Sequence, residues 1–78
     1  MKTTKPQRYL LAEVRRSRET TQVQLAKKAK MRQSDVSEIE HRTDARLSTL
    51  TRYARALGGS IETAIVVDGE RYVLDLPR

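Results

Sequence analysis

Residues 31 to 42, MRQSDVSEIEHR, bring together the side chains best suited to chemistry in this 78-residue chain. Gln33 offers an amide donor and acceptor, Ser34 and Ser37 offer hydroxyls, and Asp35, Glu38 and Glu40 offer carboxylates. Catalysis is a poor fit for this set. Glu38 and Glu40 fall on different faces of one helix, so they cannot share a substrate. No nucleophile sits beside a base, and no glycine-rich phosphate loop occurs. His41 is the single histidine, with neither cysteine nor a carboxylate pair at ligand spacing, so no metal site and no cofactor are expected. Recognition of nucleic-acid edges fits better: a Gln side chain matches the N6 and N7 of adenine, Ser serves several edges, and a carboxylate accepts from a cytosine amine.

Those residues need a helix to position them. Val36 and Ile39 lie one turn apart as a buried stripe. At 100° per residue, Ser34, Ser37, Glu38 and His41 then point the opposite way, with Gln33 at the exposed N-terminal end. We therefore expect a helix over 33–41 whose outer face reads bases through Gln33, Ser34, Ser37 and Glu38. Asp35, in the first turn, is favoured there by the helix dipole.

The surrounding chain supplies more helices. Pro6 suits a first turn, and Leu10, Leu11 and Val14 form an apolar stripe, which predicts a first helix from Pro6 to about Arg18. Thr21 followed by Gln24 is a capping-box start, and Leu25, Ala26 and Ala29 give the second helix its inner face. Arg42 to Leu47 reads as a loop. Ser48 or Thr49 caps a fourth helix carrying Leu50, Tyr53, Ala54 and Leu57 at i, i+3, i+4 and i+7, and Gly58 and Gly59 end it.

After the glycines the period falls to two. SIETAIVVDGERYVLDL is two alternating runs around Asp68-Gly69, a strong hairpin signal because both central residues of a type I′ turn need positive φ. A two-residue turn sets Ile65 against Tyr72, Thr63 against Leu74 and Ile61 against Leu76 as one apolar face. An isolated hairpin is marginal in water. It either packs on its own helices or joins a second chain; open edges favour the second, making these six residues the expected dimer contact. The fold class expected is mostly α with a small β element: four helices followed by a two-stranded hairpin, in a single domain over 1–78 with a basic arm at 1–5, the helical part at 6–59 and the hairpin at 60–78.

Charge follows the same division. Residues 1–60 carry a net +8 and residues 61–78 a net −2, within a total of +6. A basic body suggests a nucleic-acid partner, which a helix-turn-helix over residues 22 to 41 narrows to double-stranded DNA. Hydrophobic residues make up 37% of the chain, with no Phe, Trp or Cys, so the core is small and self-association is expected to help it. The longest apolar run, Ala64 to Val67, is too short to span a bilayer, which points to a cytoplasmic protein without a membrane partner. Candidate phosphate contacts are Gln22 at the N-terminus of the second helix, Arg32, Arg42 and Arg46 beside the third, and Thr49 at the start of the fourth. Lys27 and Lys28 fit a solvated surface, and Arg52 and Arg55 fit either a contact or the wet face of the fourth helix.

Residues 22 to 41, QVQLAKKAKMRQSDVSEIEH, match the twenty-residue helix-turn-helix pattern, with the small Ala26 at the steep crossing and Leu25, Ala29, Met31, Val36 and Ile39 around it. With TQVQLAKKA, QSDVSEIE and LSTLTRYARALGG taken together, the chain resembles the Xre family of Cro-type helix-turn-helix DNA-binding proteins over about residues 8 to 59. The appended hairpin is similar to the layout of Xre-type regulators that include HigA-type antitoxins. The resemblance implies a buried ion pair between Glu40 and Arg15. It also implies a dimeric repressor on a two-fold operator or, alternatively, an antitoxin that binds a toxin protein and represses its own operon. Two positions depart from the family pattern. Lys30 stands where Gly is common in the turn and Arg32 where Ser or Thr commonly caps the third helix, each a loss of about 1 kcal/mol. The Asp35 carboxylate is expected to restore part of that missing cap.

Overall fold

The computed structural model describes residues 9–42 and 44–75. Four helices, α1 (Leu11–Ser17), α2 (Gln22–Ala29), α3 (Gln33–His41) and α4 (Leu47–Ala56), precede two strands, β1 (Ala64–Val67) and β2 (Glu70–Val73). The expected basic arm, the start at Pro6 and Leu76 all lie outside the described residues.

α1 starts later than its sequence pattern predicts. Leu10 is extended, at φ −78° and ψ 152°, and its N–H donates to the Glu13 carboxylate at 2.8 Å, which fixes the first turn at Leu11. The stripe is also turned. Leu11 packs on the core and Arg15, one turn on, is buried, whereas Leu10 is 68% and Val14 38% exposed. A charged residue occupies the inner face because its ion-pair partner lies there.

α2 begins with the predicted box: Gln24 N–H donates to Thr21 Oγ1 at 3.1 Å, and Thr21 N–H donates to Gln24 Oε1 at 2.9 Å. It ends with Lys30 left-handed at φ 57°, Met31 N–H reaching back to the Ala26 carbonyl at 2.9 Å. The α1 terminus uses the same device with Glu19 at φ 54°, and the α4 terminus uses it with Gly58 at φ 83°. Only the last of these has the residue that adopts this conformation without strain.

α4 opens two to three residues earlier than a Ser48 or Thr49 cap predicts. Arg46 is the extended flanking residue and its carbonyl accepts from Leu50 N–H at 3.0 Å, without any side-chain cap. Leu47, one turn before Leu50, is 37% exposed and lies outside the core. The core is Leu25, Ala26, Ala29, Val36, Ile39 and Tyr53, with Leu11, Met31, Leu50 and Leu57 packed against it.

The hairpin has the predicted register. Ile65 faces Tyr72 and Val67 faces Glu70 across Asp68 (φ 49°) and Gly69 (φ 81°), both in the positive-φ turn. Neither face of the sheet is covered by the helices. Ile65 and Tyr72 are 52% and 54% exposed on one side, Val66 and Val73 63% and 58% on the other. Tyr72, expected at the dimer contact, is thus open in the single chain. Ile61 and Thr63, nearer the helices, are half-buried, and the Thr63 hydroxyl is enclosed with no partner among the described residues.

Candidate nucleic-acid interface

α3 is held from behind by one carboxylate. Arg15 Nε donates to Glu40 Oε2 at 2.6 Å and its Nη2 to Oε1 at 3.1 Å, a two-point fork. The third guanidinium nitrogen, Nη1, donates to the Thr20 carbonyl at 2.9 Å, tying the fork to the α1–α2 turn. Tyr53 from α4 adds its hydroxyl at 2.6 Å to Oε2, and Gln22 from α2 adds Nε2 at 3.0 Å to Oε1. The Tyr53 oxygen also stands 3.2 Å from the Leu11 carbonyl, but its single hydrogen belongs to the shorter, charge-assisted contact. All four helices therefore meet at Glu40, whose side chain is 2% exposed.

Protonation states follow from this geometry. Burial alone raises the Glu40 pKa, yet hydrogen bonds from Arg15, Tyr53 and Gln22 and the Arg15 charge overcome it and hold the group at about 2. The hydrogen bond to Glu40 raises the Arg15 pKa against the opposing effect of burial. Burial and the bond to Glu40 both push the Tyr53 phenol upward. The cluster is a fixed charge pair around neutral pH.

The outer face of α3 is open. Gln33, Ser34 and Glu38 are exposed and Ser37 is half-buried, on the side away from Val36 and Ile39. Gln33 Nε2 donates to Gln22 Oε1 at 3.3 Å, so these residues, the first of α3 and of α2, touch. Gln22, expected as a phosphate contact, is thus also a link between Glu40 and Gln33, with a second amide hydrogen left over.

The other two acids of α3 have arginine neighbours. Asp35 Oδ2 lies 3.4 Å from Arg32 Nε, and Glu38 Oε2 lies 3.7 Å from Arg42 Nη1. The sequence suggests that Asp35 helps to cap α3, but its carboxylate meets the Arg32 side chain instead. His41 Nδ1 sits 2.7 Å from the Ser37 carbonyl. Beside the C-terminal half of α3 a hollow opens toward α4, and Arg42, Arg46 and Thr49 all line it.

Arg52 carries a role that sequence reasoning left open. Its Nη2 donates at 2.8 Å to both the Ala29 and the Lys30 carbonyls, the free end of α2 within the turn. A cation there matches the helix dipole and satisfies orphan acceptors. The non-Gly turn at Lys30 signals a need for support, but nothing in the linear sequence says which arginine supplies it.

Two short helices crossing at Ala26, the second carrying an exposed polar face, define a helix-turn-helix unit. The family model described as Helix-turn-helix matches residues 11–63, and the chain belongs to that family. A relative from Mycobacterium tuberculosis, "Putative antitoxin HigA2", is 38% identical over 68 residues, covering 85% of this chain and 67% of the relative. Among solved structures, "DNA bound antitoxin HigA3" superposes with a TM-score of 0.81 at 25% identity, covering 94% of this chain and 97% of that one. "Induced DNA bending by unique dimerization of HigA antitoxin" gives 0.78 at 25% identity, covering 94% and 100%. Among the described residues no helix is long and apolar enough to cross a membrane.

Proposed function

We propose that the protein is a sequence-specific DNA-binding repressor that acts as a dimer on a two-fold operator. The observation that carries this reading is α3 itself: its inner residues Val36 and Ile39 are buried while Gln33, Ser34 and Glu38 stand open on the far side. With α3 in the major groove, Gln33, Ser34, Ser37 and Glu38 meet base edges. Gln22, Arg32, Arg42, Arg46 and Thr49 lie at its flanks as phosphate contacts, which set register without reading sequence. The uncovered hairpin, through Ile61, Thr63, Ile65, Tyr72, Leu74 and Leu76, supplies the contact between copies, in keeping with the dimerization described for the DNA-bending HigA neighbour. Selection from a randomised duplex pool tests the reading. Enrichment of a palindrome with half-sites about one helical turn apart is expected. Sequence-blind binding that collapses with salt refutes it.

The names of the relatives favour a second reading, an antitoxin that neutralises a toxin protein and represses the shared operon. The two readings share the DNA-binding surface and differ in the protein partner. Expressing the adjacent open reading frame with and without this chain separates them: growth arrest that this chain relieves, with a stable complex on copurification, supports the antitoxin.

A further inference from the structure

The open edge of β2 is self-complementary. Leu74 N–H donates to the Thr63 carbonyl at 2.8 Å, so this pair belongs to the bonded class of the antiparallel ladder. Bonded and non-bonded pairs alternate, which places Ile65–Tyr72 in the bonded class and Ala64–Val73 and Val66–Arg71 in the other. The backbone amides of Arg71, Val73 and, continuing the alternation, Asp75 therefore face away from β1, along the free edge.

An antiparallel copy of β2 laid on that edge and centred on Val73 sets Val73 against Val73, Tyr72 against Leu74 and Arg71 against Asp75, the last two pairs occurring twice by symmetry. Each of these three rows is favourable. Centring on Arg71 opposes two guanidinium groups, and centring on Tyr72 or Leu74 sets a charge against Val73. The β1 edge has no such solution, because residues 61–67 hold Glu62 as their only charge. Within the single chain, Asp75 makes no ion pair among the described residues, and the same register puts it opposite Glu62, acid against acid. Arg71 makes only an exposed contact, 3.4 Å from Glu62. A guanidinium arriving from a second copy relieves that acidic row.

We propose that two chains join through β2, antiparallel and centred on Val73, into a four-stranded sheet in which Arg71 of each copy pairs with Asp75 of the other. Tyr72 and Leu74 of both copies then form one continuous apolar face with Ile65. The proposal rests on the dimeric reading above and narrows it to one edge and one register.

Sedimentation of the full chain, with helix content checked by circular dichroism, tests it. The parent is expected to be a dimer. Arg71→Asp or Asp75→Arg alone removes two opposite-charge pairs and creates two like-charge pairs, and should raise the dimer Kd by about tenfold or more. The double variant Arg71→Asp/Asp75→Arg restores complementarity and should return Kd close to the parent value. Independently, Val73→Cys should crosslink with a short homobifunctional thiol reagent, because a bonded antiparallel pair holds its Cα atoms about 5.5 Å apart, in a chain with no other cysteine. Val66→Cys, on β1, should not. A dimer indifferent to both single variants, a double variant that fails to recover, or crosslinking through position 66 instead of 73 overturns the register while the dimeric reading stands. A parent chain that is monomeric at every concentration overturns both.

Discussion

Replacing Glu40 by glutamine keeps the side chain's shape and removes its charge, so it isolates what the buried cluster contributes. The carboxylate is held at about 2 against an ordinary 4.5, which corresponds to roughly 3–4 kcal/mol of stability at neutral pH. The general cost of leaving one member of a buried pair alone, about 3–5 kcal/mol, is of similar size. Because the folded-state pKa lies below the unfolded one, the folded form binds fewer protons. The stabilisation is thus complete above about 4.5 and is lost as pH falls toward about 2. In a domain this small, such a loss lowers Tm by roughly 15–30 °C. Thermal melts of parent and Glu40→Gln at fixed protein concentration, from pH 7 down to pH 2, should show a wide gap at neutral pH that narrows steadily below about 4.5. A variant that melts with the parent at pH 7, or a gap that stays constant across the acid range, refutes the assignment.

Arg15→Ala should likewise melt well below the parent at pH 7, since it strands Glu40. Tyr53→Phe removes one donor to Glu40 at 2.6 Å and should cost about 1.5–3 kcal/mol while moving the acid unfolding midpoint to higher pH. Lys30→Gly and Glu19→Gly, both at left-handed positions, should each stabilise the chain by about 1 kcal/mol in urea denaturation. On DNA, Gln33→Ala should relax preference at one base pair by about 1–3 kcal/mol; equal weakening on every sequence would make Gln33 a backbone contact.

Periodicity carries α3 and the hairpin because each follows from local rules. Val36 and Ile39 on one stripe and Asp68-Gly69 between two alternating runs leave little freedom in boundary or register. The misjudged elements depend on tertiary partners. Leu10 and Val14 look like core on an apolar scale, but α1 turns Leu11 and Arg15 inward because the guanidinium meets Glu40, twenty-five residues away. α4 starts ahead of the hydroxyls at Ser48 and Thr49, with Arg46 as its flanking residue and no side-chain cap. Arg52 is the clearest case. Its hydrogen bonds to Ala29 and Lys30 span more than twenty residues, and nothing around position 52 announces them. Family resemblance, not local pattern, is what pointed from Glu40 to Arg15.

The acids of α3 differ chiefly in burial, and that difference decides what each can do beside a polyanion. Glu40 is buried and held at about 2 by its neighbours, so it stays ionised and out of reach. Asp35 and Glu38 are open to water and paired with Arg32 and Arg42 over 3.4 and 3.7 Å. Exposed pairs of this kind are worth about 0–1 kcal/mol, so exchanging the carboxylate for a phosphate costs each arginine little. Under the proposed docking of α3 in the major groove, Arg32 and Arg42 would be free to turn toward the backbone. Glu38 would then be the outer-face carboxylate placed to accept from a cytosine amine. A helix with three acids is thus compatible with a groove, because one is sealed into the scaffold and each of the others lies within 4 Å of an arginine that offsets its charge.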